Sequence, residues 1–114
     1  NYVEDSATGF IELAKSDKAT GQEINLATGT EYSIGDVAEQ LIRMIRPQAR
    51  IVCNKERIRP ENSEVERLLG SAEKLFSLTH WRPQYDLAEG LERTVKWFSD
   101  KKNLSQYKPQ NYNV

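Results

Sequence analysis

Cysteine and histidine are almost missing from this chain, which carries only Cys53 and His80 among its 114 residues. One cysteine excludes an internal disulfide and fits a reducing compartment. A structural zinc site needs four ligands, so this pair cannot build one. With His80 as the only imidazole, no Ser-His-Asp set can be argued. His80 reads as a loop residue at a helix end, a place that tolerates positive φ, and Cys53 as a small buried apolar residue. The glycines, at positions 9, 21, 29, 35, 70 and 90, match neither G-x-G-x-x-G nor G-x-x-x-x-G-K, so there is no dinucleotide or phosphate cradle. No apolar run approaches the length that crosses a bilayer, and no signal peptide opens the chain. The expectation is a cytoplasmic protein with no membrane partner. Charge of one sign is also lacking: 16 basic residues face 17 acidic ones, for a net charge of −1. Without a global field or an aromatic-basic interleave, nucleic acid is disfavoured as a partner. Any anion must be bound locally.

What is there begins abruptly. Asn1 stands where a methionine would open a complete chain, and Val3-Glu4-Asp5 leads straight into a helical pattern; the expectation is a chain cut from something longer. Val3, Ala7, Phe10, Ile11 and Ala14 recur at the spacing of one helix face, with Glu4 and Asp5 complementing the helix start. Gln22 to Ala27 alternates, placing Ile24 and Leu26 on one side, as a short strand does. Ser33 with Asp36 makes a variant capping box before the stripe Ile34, Val37, Ala38, Leu41, Ile42 and Ile45, and Pro47 stops that helix. Arg50 to Cys53 reads as a second strand. Short helices follow around Val65, Leu68 and Leu69, then from a Ser71 cap through Leu75 and Phe76. Met44 and the Phe and Trp residues read as core. Asp86 with Glu89 opens a last amphipathic helix reaching about Lys102. The predicted fold class is α+β, a small sheet of short strands covered by about four to five helices. Residues 1–102 form the folded unit, and 103–114 a flexible polar tail.

The segment Arg57-Ile58-Arg59-Pro60 carries the chemistry. On an extended backbone both arginines leave by the same side. Two guanidiniums there repel unless something negative lies between them, and a pyrophosphate is such a group. Pro60 stiffens the chain just beyond, and Glu64 follows within reach of ribose hydroxyls. Against this stands a bland alternative: Glu56, Glu61, Glu64 and Glu66 surround the arginines, and exposed pairs of this kind contribute little.

Three stretches in order carry a resemblance: Tyr2-Val3-Glu4-Asp5 with its helix; Ile24-Asn25-Leu26-Ala27-Thr28-Gly29 before Ser33-Ile34; and Arg59-Pro60, Ser63-Glu64-Val65, Leu69, Trp81-Arg82-Pro83 and Leu87 to Phe98. From residue 2 to 102 the chain resembles the back half of the extended short-chain dehydrogenase/reductase family, the NAD-dependent nucleotide-sugar epimerases and 4,6-dehydratases. The resemblance implies the carboxy-terminal, substrate-binding lobe of an extended Rossmann-type enzyme. It also implies a parent that oxidises a sugar at C4 with NAD, then loses water across C5–C6 or reprotonates another carbon. Arg59 would contact the diphosphate and Glu64 the ribose, with Arg57 a helper and Asn62 an alternative ribose contact. The family's Gly before the tryptophan is replaced by His80, at some cost in strain. NAD and the catalytic Tyr-x-x-x-Lys pair would belong to a missing amino-terminal domain, because Ser6, Asp36, Glu89 and Asn111 stand four residues after Tyr2, Tyr32, Tyr85 and Tyr107. The implied partners are a nucleotide-diphosphate sugar, that amino-terminal domain, and a second parent chain in a homodimer; no catalytic or metal-binding residue is assigned to this chain. The alternative is a non-catalytic interaction module docking through exposed helix faces, with Phe10, Ile11 and Trp97 left open.

Overall fold

The computed structural model describes residues 1–53 and 67–107. Among these residues five helices follow one another: α1 Val3–Ala14, α2 Ile34–Ile45, α3 Glu73–Leu78, α4 Leu87–Ser99 and α5 Lys101–Leu104, with a 3₁₀ turn Asp17–Ala19 after α1. The two capping boxes are present as read. Ser33 Oγ accepts from Asp36 N at 3.0 Å while Asp36 accepts from Ser33 N, and Asp86 and Glu89 repeat the arrangement at α4. Each satisfies two helix-end N–H groups that would otherwise need water. At α3 the cap is Ala72 instead of Ser71, whose hydroxyl only reaches Glu73 N at 3.4 Å. The last helix breaks at Asp100, which caps α5 through Lys102 N at 2.8 Å.

The predicted α+β class is corrected: among the described residues there are helices and no strand. A strand exists only where its N–H and C=O groups meet a neighbouring backbone. Along 22–27 two of the carbonyls turn to side chains instead. Glu23 O accepts from Lys74 Nζ and Leu26 O from Asn1 Nδ2, both at 2.9 Å. Arg50 to Cys53 is exposed throughout, Cys53 included, so neither the second strand nor a buried cysteine is found there. The predicted helix around Val65 to Leu69 is absent over 67–70; its earlier residues lie outside the described ones. Among the described residues positive φ angles occur only at glycines, such as Gly29 at 73° in the turn before α2. His80 therefore carries none of the expected strain.

Packing is organised around α3 and the link that follows it. Leu75 is fully buried and Trp81 is 4% exposed, with Ala72 beside them. The Trp81 ring stacks near Phe76, centroids 6.2 Å apart, and its indole N–H donates to Thr8 Oγ1 at 3.1 Å. Ser16 Oγ donates to Leu78 O at 2.8 Å and ties the end of α1 to the end of α3. α2 lies against α4, and α4 against α5. Met44 and Trp97 are more exposed than a core reading expects.

α1 turns an unusual side inward. Asp5 and Gly9 are its buried residues, whereas Val3, Phe10 and Ile11 are 68%, 66% and 53% exposed. Gly9 lets the 22–27 stretch come close, since a β-carbon there would run into the Leu26 side chain. The apolar spacing identified the helix correctly and left open which side is covered; contacts distant in sequence decide that.

Candidate functional site

Arg57, Arg59, Asn62 and Glu64 all fall within 54–66, outside the described residues. The residue that follows this stretch, Arg67, is described, and it is tied to the loop before α2. Its guanidinium makes a two-pronged contact with Glu31, Nε to Oε1 at 3.0 Å and Nη2 to the same oxygen. Such forked pairs fix direction better than a lysine would, although exposure keeps the energy small.

Beside that loop lies an open groove of about 1020 Å³. Three stretches far apart in sequence build it: Tyr2 at the start of α1, Thr30 and Tyr32 in the loop before α2, and Tyr85, Arg93 and Trp97 on the α4 side. Capping explains the loop's place, because Ser33 must end it in extended geometry, φ −72° and ψ 152°, for α2 to begin. The α4 side is placed by Asp5. This carboxylate is 1% exposed and accepts from the backbone N–H groups of Gln84 at 2.8 Å and Tyr85 at 3.2 Å. An acid expected to favour the helix start instead clasps a segment from the other end of the chain.

Above the clasp, Tyr2 and Tyr85 meet edge to face, centroids 4.9 Å apart, and the Arg93 guanidinium lies 4.5 Å from the centre of the Tyr85 ring. Tyr85 OH donates to Glu4 Oε2 at 2.7 Å, and this bond, helped by desolvation, raises the phenol above its ordinary value of 10.0, against the pull of Arg93. The neutral phenol is the form that donates, and an ionised one would face a carboxylate. Because the folded-state value is raised, the contribution to stability is complete below about pH 10 and is lost as pH climbs through the raised value. An ultraviolet titration is expected to show a late tyrosine step that vanishes in Tyr85→Phe and moves earlier in Glu4→Gln. A step unmoved by Glu4→Gln contradicts this account.

The groove offers aromatic faces, hydroxyls, the Arg93 guanidinium and, at its α4 side, the Asp86 and Glu89 carboxylates that are engaged in capping α4. Among the described residues no three His, Cys, Asp or Glu side chains gather as metal ligands would. The clasp, the Glu31–Arg67 fork and the Tyr85 network were missed in the sequence. The signal for the first was available, as Asp5 stands on the side of α1 opposite its apolar residues.

No family model matches the chain, and no solved structure matches it significantly. Among curated proteins it is 33% identical over 109 residues to a UDP-glucuronate 4-epimerase of Thermodesulfobacterium geofontis, a match covering 94% of this chain and 31% of that protein. It is 27% identical over 104 residues to a UDP-N-acetyl-alpha-D-glucosaminuronate decarboxylase of Bacillus cytotoxicus, covering 90% of the chain and 32% of the relative. With the dTDP-D-glucose 4,6-dehydratase of Homo sapiens it shares 24% over 102 residues, 87% of the chain and 29% of the relative. The chain thus spans about a third of the length of these relatives. The similarities support a relationship to the extended short-chain dehydrogenase/reductase family, at the level of its nucleotide-sugar enzymes.

Proposed function

We propose that the chain is the substrate-holding portion of a nucleotide-sugar dehydratase or epimerase. One observation carries the reading: a decarboxylase, an epimerase and a dehydratase each align over 87% or more of this chain. Their named reactions differ. What their names share is a sugar joined to a nucleoside diphosphate, so the common portion is best read as the part that holds that handle.

In this reading Arg59 grips the diphosphate with its guanidinium fork, Arg57 assists, and Glu64 accepts hydrogen bonds from the ribose, with Asn62 the alternative ribose contact. NAD and the tyrosine–lysine pair come from another part of the parent, because this chain's glycines form no dinucleotide cradle. The parent is read as a cytoplasmic homodimer; this portion alone binds and does not turn over substrate.

The test is a chemical-shift titration of this chain with UDP-, dTDP- and GDP-sugars. Binding is expected with Kd on the order of 1 mM, since a site shared between lobes is incomplete in one of them. Arg59→Ala is expected to weaken it roughly tenfold or more, as loss of a charged hydrogen-bond donor does. Glu64→Ala and Asn62→Ala identify the ribose contact by which of them lowers affinity. Resonances of Arg57, Arg59 and Glu64 that stay silent at millimolar ligand overturn the assignment of these residues.

A further inference from the structure

The Glu31–Arg67 fork joins two places that matter. Arg67 is the first described residue after the arginine segment, and Glu31 stands between Thr30 and Tyr32, which line the groove. As a source of stability the pair is weak, because the Arg67 side chain is 78% exposed. As a hold on the backbone it has little help nearby. Leu68 and Leu69 follow at 84% and 56% exposure, so burial does not fix the chain there. The next hold is Gly70, whose missing β-carbon lets the chain pass close against Ala27.

We propose that Glu31 and Arg67 are a positioning pair for nucleotide-sugar binding: the fork tethers the Arg59–Glu64 contacts to the groove's loop and does not itself touch the ligand. The inference rests on the reading of Arg59 and Glu64 as ligand contacts. Chain connectivity carries it. Each residue spans at most about 3.6 Å, so Glu64, three positions before Arg67, lies within about 11 Å of it along the chain. With the fork broken, the hold passes to Gly70, six positions from Glu64, and the tether doubles to about 22 Å. The effective concentration of a tethered group falls roughly as the −3/2 power of tether length, so doubling weakens binding about threefold. Direct attraction of the diphosphate by Arg67 gives the opposite sign at Glu31. Removing that carboxylate would then free a cation and reduce the negative charge beside the phosphates, and binding would tighten.

The test measures Kd for UDP-, dTDP- and GDP-sugars by calorimetry on the full-length product of the gene. Glu31→Gln and Arg67→Gln are each expected to raise Kd about threefold while leaving the urea midpoint in place. Glu31→Arg combined with Arg67→Glu rebuilds the pair in reverse and is expected to restore most of the affinity. Binding that is unchanged or tighter in Glu31→Gln overturns the proposal, as does a reversed pair no better than the single variants. A readout without ligand is the pulsed-resonance distance between nitroxides at Thr30→Cys and Ser63→Cys, with Cys53→Ser. Its distribution is expected to widen in Glu31→Gln, and an unchanged one overturns the tether. The outcome is separable from the nucleotide-sugar reading. A parent that ignores every nucleotide sugar, or binds one equally well as Arg59→Ala, sinks the ligand assignment alone, and the spin distances still decide whether the fork holds this segment.

Discussion

Asp5→Ala is expected to destabilise the chain by about 2–3 kcal/mol, from the loss of two hydrogen bonds to a charged acceptor. The carboxylate is 1% exposed and bridges the first turn of α1 to the backbone of Gln84 and Tyr85, 79 and 80 positions away. Removing it leaves two N–H groups to find water and releases the segment that positions α4. The effect is large in context, because small domains are marginally stable and the buried apolar side chains among the described residues are Ala72, Leu75 and Trp81. Asp5→Asn separates charge from shape. Its amide oxygen serves one N–H while its NH₂ group opposes the other, so a loss of about 1 kcal/mol is expected. Urea denaturation gives both values. The Tyr2–Tyr85 contact should weaken along with stability, visible as a change in the near-ultraviolet tyrosine signal. An alanine variant within about 0.5 kcal/mol of the parent, the range of ordinary surface substitutions, would mean that the clasp holds nothing.

That clasp also marks the boundary of what the residues reveal when read in order. Ser33 with Asp36 and Asp86 with Glu89 were legible because both partners lie three positions apart, inside one helical turn. Pro47 was legible for the same reason, since its ring cannot continue the helix that ends at Ile45. Asp5 was recognised only as an acid at a helix start, because its true partners lie at the far end of the chain. The sheet was misread for a related reason: Ile24 and Leu26 do alternate, but alternation specifies a strand only when another backbone is there to pair with it. Here Lys74 and Asn1 take the carbonyls. The groove was invisible because Tyr2, Tyr32 and Tyr85 converge only after folding. The arginine segment stands differently, since its chemistry was read from spacing and its residues lie outside those described.

Trp81→Ala is expected to be the most damaging single change, at about 3–5 kcal/mol, because it combines lost burial with a cavity that the surroundings refill only in part. The ring is 4% exposed and lies beside Phe76, and Leu75 nearby in sequence is fully buried. Its neighbour Arg82 spreads a guanidinium 4.4 Å from the centre of the Phe76 ring, so the link after α3 covers the core with two consecutive side chains. The indole N–H adds a separable contribution through Thr8 Oγ1 at 3.1 Å. Trp81→Phe keeps an aromatic body and loses that donor, leaving an expected cost of about 1–2 kcal/mol from the bond and the smaller ring together. Thr8→Val removes the acceptor while keeping the shape. If the bond is as drawn, a double-mutant cycle between Trp81→Phe and Thr8→Val returns a coupling of about 1 kcal/mol. Zero coupling would assign the whole effect of Trp81 to packing and leave α1 tied to this link by the Asp5 clasp. The two variants therefore test different joints between the same elements: Asp5 grips the link by its backbone, and Trp81 anchors it by burying a ring. Because both act on the segment between α3 and α4, Asp5→Ala with Trp81→Phe is expected to cost less than the sum of the two changes made separately, the link being already loosened by the first.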